Sequence, residues 1–134
     1  MAFREDTVLP APARELAILV VAQAWSADFE WWVHSMVARG HGVSEAAIES
    51  IGHGRRPELD DPACSAAVEV AHELVHRRSL ATPILERAKR ALGERAVVEL
   101  VTLVGFYQLV SGVLESFHPP GPSGDLEVVG PPVE

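Results

Sequence analysis

Residues 71–80, "AHELVHRRSL", contain two histidines and a glutamate in the spacing H-E-x-x-H. On a helix, His72 and His76 lie one turn apart on the same face, and Glu73 takes the position of the general base in a zinc protease. A catalytic zinc ion also needs a third protein ligand, and the glycine and third histidine of the longer protease signatures are absent downstream. A zinc hydrolase is therefore the weaker hypothesis, and an amphipathic helix that turns these side chains toward water or a neighbour is the stronger.

A second set of polar side chains lies on two neighbouring predicted helices. Glu15 interrupts the apolar stretch "RELAIL", and "FEWWVH" places Glu30 and His34 four residues apart on one helix face. Two carboxylates and an imidazole buried together would have shifted pKa values and could transfer protons near neutral pH. The alternatives are a first-turn glutamate favoured by the helix dipole and an ordinary surface pair of residues four apart.

The spacing of apolar residues is mostly three to four, which predicts an all-α domain of about six helices. The first of these helices is apolar nearly all round, which is typical of a buried helix. Prolines and short polar side chains mark the predicted helix starts, and glycines mark several ends. The predicted starts are at Pro12, Ser26, Ser44, Asp61-Pro62 and Thr82-Pro83, and the predicted ends are at Gly40, Gly52 and Gly93.

The sixth predicted helix carries two glycines, Gly105 and Gly112, seven residues apart on one face. Glycine costs about 1 kcal/mol relative to alanine within a helix, so the pair indicates either close packing of a helix or subunit, or chance placement. We predict a single helical domain over residues 1–118. Residues 119–134 are a Pro/Gly-rich tail for which disorder is expected, although "DLEVV" is also compatible with a short strand or a partner-clasping arm.

The composition of the chain disfavours or excludes several classes of function. The chain of 134 residues has a formal net charge of −8, which disfavours nucleic-acid binding. Its single cysteine, Cys64, excludes an internal disulfide and a C-x-x-C redox pair. No uncharged apolar run of membrane-spanning length occurs, and the first residues lack the apolar core of a signal peptide. We therefore expect a cytoplasmic protein with no membrane partner.

Two long stretches resemble one known family. "RELAILVVAQAWSADFEWWVHSMVARGHGVSEAAIESI" resembles the core of the carboxymuconolactone decarboxylase family, which shares the alkylhydroperoxidase D fold. "AHELVHRRSLATPILERAKRALGERAVVELVTLVGFYQLVSGVLESF" resembles the second half of its members, so the likeness covers residues 12–118. The resemblance implies an all-helical domain that assembles into homo-dimers, trimers or hexamers, with active sites near subunit contacts. It implies no zinc site at H-E-x-x-H.

The peroxidase branch of that family uses a glutamate on the first helix, a C-x-x-C pair and a following histidine. Against this motif, Glu15 falls at the glutamate and His34 at the histidine, whereas the cysteine positions fall at Ala27 and Glu30. Cys64 lies on another segment. Because a thiolate is the nucleophile in peroxide reduction and disulfide exchange, the resemblance does not imply a thiol peroxidase here.

The decarboxylase branch does not need a cysteine pair. The resemblance implies a cofactor-free lyase or isomerase that acts on a small carboxylated lactone or organic acid. His34 would be the general acid/base, Glu30 would orient or charge it, and Glu15 would be a second proton donor or acceptor. The candidate pocket walls are Trp31, Trp32 and Tyr107. The alternative is a non-catalytic oligomeric ligand-binding protein on the same fold.

Overall fold

A computed structural model describes residues 7–117 of the chain. Within this range it contains six α-helices and no strand, which confirms the predicted all-α class. The predicted tail, residues 119–134, lies outside the described residues. The helices are α1 Ala11–Ala24, α2 Asp28–Gly40, α3 Glu45–Gly52, α4 Pro62–Arg77, α5 Thr82–Leu92 and α6 Glu94–Phe117.

The first helix is the centre of the bundle. It packs against α2, α3, α4 and α6, so nearly its whole circumference is covered by other helices. Leu16, Leu19 and Val21 are almost fully buried, as the all-round apolar pattern of this helix predicts. Burial of each such side chain contributes about 1.5–3 kcal/mol. A charged residue on this helix must therefore find its partners inside the core.

Two of the predicted helix caps are confirmed. The Ser44 hydroxyl accepts a hydrogen bond from the backbone N–H of Ala47 at 3.1 Å, at the start of α3. The Asp61 carboxylate accepts one from the N–H of Ala63 at 2.9 Å, and Pro62 follows as the first residue of α4. Each bond satisfies a donor that the first turn of a helix leaves without an intrahelical partner.

The predicted caps at Ser26 and Thr82 are wrong. Ser26 has φ 54° and belongs to the end of α1, because the N–H of Ala27 donates to the carbonyl of Ala22 at 2.9 Å in a left-handed helix-ending turn. Ala27 is therefore the residue that caps α2. Thr82 is already helical, since Ala81 takes the cap position of α5. A left-handed serine has no sequence signal comparable to glycine, which explains the first error.

The last helix, α6, packs one side against α1, α4 and α5 and leaves the opposite side exposed. It is the single described helix that is long and apolar enough to cross a membrane, although only by length and composition. The sequence was searched for an uncharged apolar run of membrane-spanning length. That search did not detect α6, because the uncharged run between Glu99 and Glu115 is too short. Core helices of soluble proteins, which are mostly buried, meet the same criterion. Only 28% of this apolar window is buried, and a single such helix is weak evidence for a span.

Glu99 on α6 fastens the segment that precedes α1. Its carboxylate accepts hydrogen bonds from the Thr7 hydroxyl at 2.5 Å and from the backbone N–H groups of Val8 and Leu9 at 3.0 and 3.1 Å. Burial raises the pKa of Glu99, but these hydrogen bonds outweigh it and hold the pKa below its usual value. The ionised carboxylate thus stabilises the entry into α1.

We expect Glu99→Gln to lower the free energy of unfolding at pH 7 by about 1–2 kcal/mol, because the amide replaces a charged acceptor of three hydrogen bonds. A lowered folded-state pKa stabilises above the unfolded pKa and loses this effect as pH falls through the folded pKa. The difference between wild type and variant should therefore shrink in acid. Urea unfolding at pH 7 and pH 3 measures it, with the exposed Glu115→Gln as the control. An equal difference at both pH values would contradict the assignment.

Candidate functional site

Three of the predicted site residues meet in the core between α1 and α2. His34 Nδ1 lies 2.6 Å from Glu15 Oε2, and His34 Nε2 lies 3.1 Å from Glu30 Oε2. The imidazole thus bridges two carboxylates, and each ring nitrogen is engaged by one of them. We call Glu15, His34 and Glu30 the relay.

Local structure explains how the relay is assembled. Glu30 and His34 lie one turn apart on the buried face of α2, so their side chains meet without any tertiary requirement. Glu15 comes from α1, which the left-handed turn at Ser26 connects to α2. Packing of α1 against α2 therefore completes a site that neither helix forms alone.

All three relay side chains are buried. Glu15 is 1%, His34 4% and Glu30 8% exposed, so the groups do not face bulk solvent. Burial lowers the pKa of His34, but the hydrogen bonds and negative charges of Glu15 and Glu30 outweigh it and raise the pKa above its usual value. A protonated imidazole can donate from both nitrogens, one to each carboxylate. The relay therefore holds a proton at His34 between two acceptors.

Arg14 is a member of this site that sequence reasoning missed. Its Nε lies 3.4 Å from Glu15 Oε1, on the carboxylate oxygen that His34 does not use. The guanidinium is half-buried and adds positive charge beside the buried glutamate. Neighbouring residues on a helix do not normally face each other, so the spacing of Arg14 and Glu15 did not indicate that their side chains pair.

The predicted aromatic wall residues take three different places. The Tyr107 ring of α6 packs edge-on against the His34 imidazole, with centroids 5.2 Å apart. Trp31 is buried in the hydrophobic core, whereas Trp32 is half-buried and tilted against Phe29 with centroids 6.3 Å apart. Tyr107 is thus the aromatic residue of the predicted set that contacts the relay histidine.

The H-E-x-x-H residues lie on α4, where Glu73 forms ion pairs and the two histidines contact each other. Glu73 is buried and its carboxylate pairs with Arg56 at 3.3 Å and with Arg77 at 3.3 Å. Arg56 also lies 3.4 Å from His72 Nδ1, and the rings of His72 and His76 are 4.3 Å apart. Among residues 7–117, no group of three or more potential ligands is placed to hold a metal ion. The Glu73 carboxylate instead forms ion pairs with two arginines, Arg56 and Arg77.

Cys64 lies at the start of α4, whereas the relay residues lie on α1 and α2. The thiol is buried and donates to Asp61 Oδ2 at 3.6 Å. Burial and the negative charge of Asp61 raise the pKa of Cys64 to about 11. The thiol is therefore protonated at neutral pH and is a poor nucleophile.

A sequence model of the carboxymuconolactone decarboxylase family matches residues 1–73, which is more than half of the chain. The chain belongs to this family. The match includes α1, α2 and α3 and therefore all three relay residues, and it ends within α4 at Glu73. No curated protein and no solved structure matches the chain. The family predicted from the sequence is thus confirmed, and the all-helical structure agrees with it.

We expect the pKa of the His34 imidazole to lie above the usual histidine value, because Glu15 and Glu30 accept hydrogen bonds from it. A raised folded-state pKa means that His34 stabilises the fold fully below the unfolded pKa and loses this contribution as pH rises through the folded pKa. In Glu15→Gln, which removes one charge-assisted hydrogen bond, the pKa of His34 should fall. Histidine side-chain NMR measures both values, with exposed His53 as the internal reference. A His34 pKa that Glu15→Gln leaves unchanged would contradict the described relay.

Proposed function

We propose that this protein is a cofactor-free acid–base enzyme, a lyase or isomerase, that acts on a small carboxylated lactone or organic acid. The observation that carries the proposal is the engagement of both His34 nitrogens by carboxylates in a buried position. Such a hydrogen-bonded series of side chains can store a proton and deliver it at one end. Membership of the carboxymuconolactone decarboxylase family supports the choice of substrate class.

The roles that we assign differ from those expected from the sequence, where His34 was the general acid/base. Neither ring nitrogen of His34 is left to meet a substrate, and its side chain is 5% exposed. The Glu30 side chain is 10% exposed and ends the relay toward the surface. We therefore assign proton exchange with the substrate to Glu30. His34 resupplies the proton, and Glu15 fixes the ring and its charge.

The chemistry balances without an added reactant. In a decarboxylation, the bond between a carbon and its carboxylate breaks, and the electron pair delocalises into a carbonyl that is adjacent or conjugated to that carbon as CO₂ leaves. His34 Nε2 passes its proton to the Glu30 carboxylate, which delivers it to a carbon of the resulting enolate. Solvent restores the proton on His34. An isomerisation uses the same groups, with Glu30 first taking a proton from carbon and then returning it to another position.

A second candidate function is ligand binding without turnover. A groove of about 560 Å³ at the C-terminal end of α6 supports it, and this groove does not include the relay. Trp25, Gln108 and Leu109 are among its lining residues. A lactone that binds in this groove, and is neither decarboxylated nor isomerised, would favour this function.

The test is turnover of 4-carboxymuconolactone and of a set of β-keto acids, followed by CO₂ release and by NMR of the product. We expect Glu30→Gln to lower kcat at least 100-fold, because acid–base groups contribute about 10²–10⁴ in rate. The matched control is Glu49→Gln, an exposed carboxylate on α3 that pairs with His53 instead. His34→Gln should lower kcat and also displace the pH profile, since it removes the proton supply to Glu30.

Two outcomes would contradict the proposal. If Glu30→Gln keeps full activity, Glu30 is not the proton donor. If wild type turns over none of these compounds, yet calorimetry shows that a lactone binds and that Leu109→Arg in the groove abolishes binding, the second function is correct.

A further inference from the structure

Arg14 leaves most of its hydrogen-bonding capacity unused at the edge of the relay. A guanidinium carries five N–H donors, and Arg14 makes a single contact, from Nε to Glu15 Oε1 at 3.4 Å. Among residues 7–117, its two terminal nitrogens, which we call the open fork, donate no hydrogen bond. Arg87, by contrast, donates from two nitrogens to Glu69, each at 3.2 Å. The open fork of Arg14 is therefore available to an anion.

The position of Arg14 is unusual for an arginine with an open fork. Its side chain is 12% exposed, whereas those of Arg39 and Arg77 are 36% and 76% exposed. Water therefore hydrates the Arg14 guanidinium only in part, and taking a charge out of water is costly unless hydrogen-bonded partners replace the water. A carboxylate on the open fork would replace it, since two parallel N–H donors match its two oxygens.

The positive charge of Arg14 is also compensated less closely than that of His34. The Glu15 carboxylate is shared between the two, with Oε2 at 2.6 Å from His34 Nδ1 and Oε1 at 3.4 Å from Arg14 Nε. His34 has a second carboxylate, Glu30, at 3.1 Å, and Arg14 has no second carboxylate among residues 7–117. Of the two cations, Arg14 is therefore the one that lacks a negative charge of its own.

Arg14 and Glu30 are the two ends of one hydrogen-bonded series, which runs from Arg14 through Glu15 and His34 to Glu30. The two middle side chains are 1% and 5% exposed, whereas the end side chains are 12% and 10% exposed. A small molecule from solvent therefore meets this series at its ends. One end offers a positive charge, and the other offers the group to which we assign proton exchange.

We propose that the open fork of Arg14 binds a carboxylate of the substrate and so presents the reacting carbon to Glu30. This inference rests on the function proposed above, and it adds the residue that recognises the charge of the substrate. The carboxylate on Arg14 is one that survives the reaction, because a bidentate ion pair with a departing carboxylate would stabilise the reactant more than the transition state. A substrate that is decarboxylated here therefore carries a second carboxylate.

Arg39 is the one arginine of α2, the helix that carries Glu30 and His34. It lies in the last turn of that helix, and its guanidinium already donates from two nitrogens to the Glu45 carboxylate. Its side chain is 36% exposed, so water hydrates its remaining donors. Arg39 therefore lacks both the open fork and the burial of Arg14, and Arg39→Gln is the matched control.

Binding of an unreactive ligand tests the proposal without turnover. The probes are γ-carboxy-γ-butyrolactone, a saturated lactone with one carboxylate, and γ-butyrolactone, the same ring without it. We expect calorimetry to show that the carboxylated probe binds wild type, and that Arg14→Gln weakens this binding by about tenfold or more. The bound anion should raise the pKa of His34 in side-chain NMR, since a nearby negative charge favours the protonated imidazole. Arg39→Gln should change neither result.

Arg14→Lys separates recognition by the fork from a general effect of charge. It keeps a positive charge beside Glu15 and so preserves the compensation of that carboxylate, but an ammonium lacks the planar fork. We expect it to bind the carboxylated probe more weakly than wild type does. In turnover assays, Arg14→Lys should raise KM more than it lowers kcat, because a surviving carboxylate is bound equally in the reactant and the transition state.

Three results would overturn the proposal. They are wild-type affinity in Arg14→Lys, loss of binding in Arg39→Gln, and a wild type that binds the carboxylated probe no better than γ-butyrolactone. The function proposed above fails by a different result. If the carboxylated probe binds through Arg14 and yet no lactone or β-keto acid is turned over, Arg14 is a carboxylate-binding residue and the acid–base reaction is wrong.

Discussion

The hydrogen bond between Glu15 and His34 is the interaction on which the arrangement of the site depends. It joins α1 to α2 within the core, and it is the reason that a carboxylate is tolerated on the most buried helix of the bundle. A buried carboxylate without a partner would cost several kcal/mol. The His34 imidazole, whose pKa is raised, and the guanidinium of Arg14 lie beside Glu15 and supply the compensating positive charge. Glu15 is therefore tolerated in the core because His34 and Arg14 are hydrogen-bonded to its carboxylate.

This constraint also supports the roles that we propose for the three relay residues. Because Glu15 engages Nδ1, the other nitrogen of His34 lies against Glu30, which supports the proton exchange that we propose for that carboxylate. In the peroxidase motif a cysteine takes the position that Glu30 has here. In the function that we propose, a carboxylate in this place replaces the attack of a thiolate with proton transfer. The buried, protonated Cys64 on α4 does not restore the thiol chemistry.

Much of the fold follows from local patterns in the sequence, whereas the site depends on packing. The six helices and the caps at Ser44 and Asp61 are local, since apolar spacing and a side-chain oxygen near the first turn determine them. The left-handed Ser26 could not be predicted, because the turn that closes α1 imposes its backbone angle. The pairing of Glu30 with His34 follows from their spacing, but the partnership with Glu15 required packing of two helices. The role of Arg14 had no sequence signal.

The two sides of α6 illustrate why a helix that is apolar all round does not reveal its environment. Its inner side packs on the core and places Tyr107 against the imidazole of His34, and its opposite side is exposed in the described part of the chain. From sequence alone the same apolar pattern is compatible with a core helix, a membrane span or a subunit interface. Among the described residues, a Cβ atom at Gly112 would meet the Trp25 ring, whereas one at Gly105 would meet nothing within 4 Å. The packed side of this helix is sufficient to hold Tyr107 against His34, so the contact with the relay does not depend on what covers the exposed side.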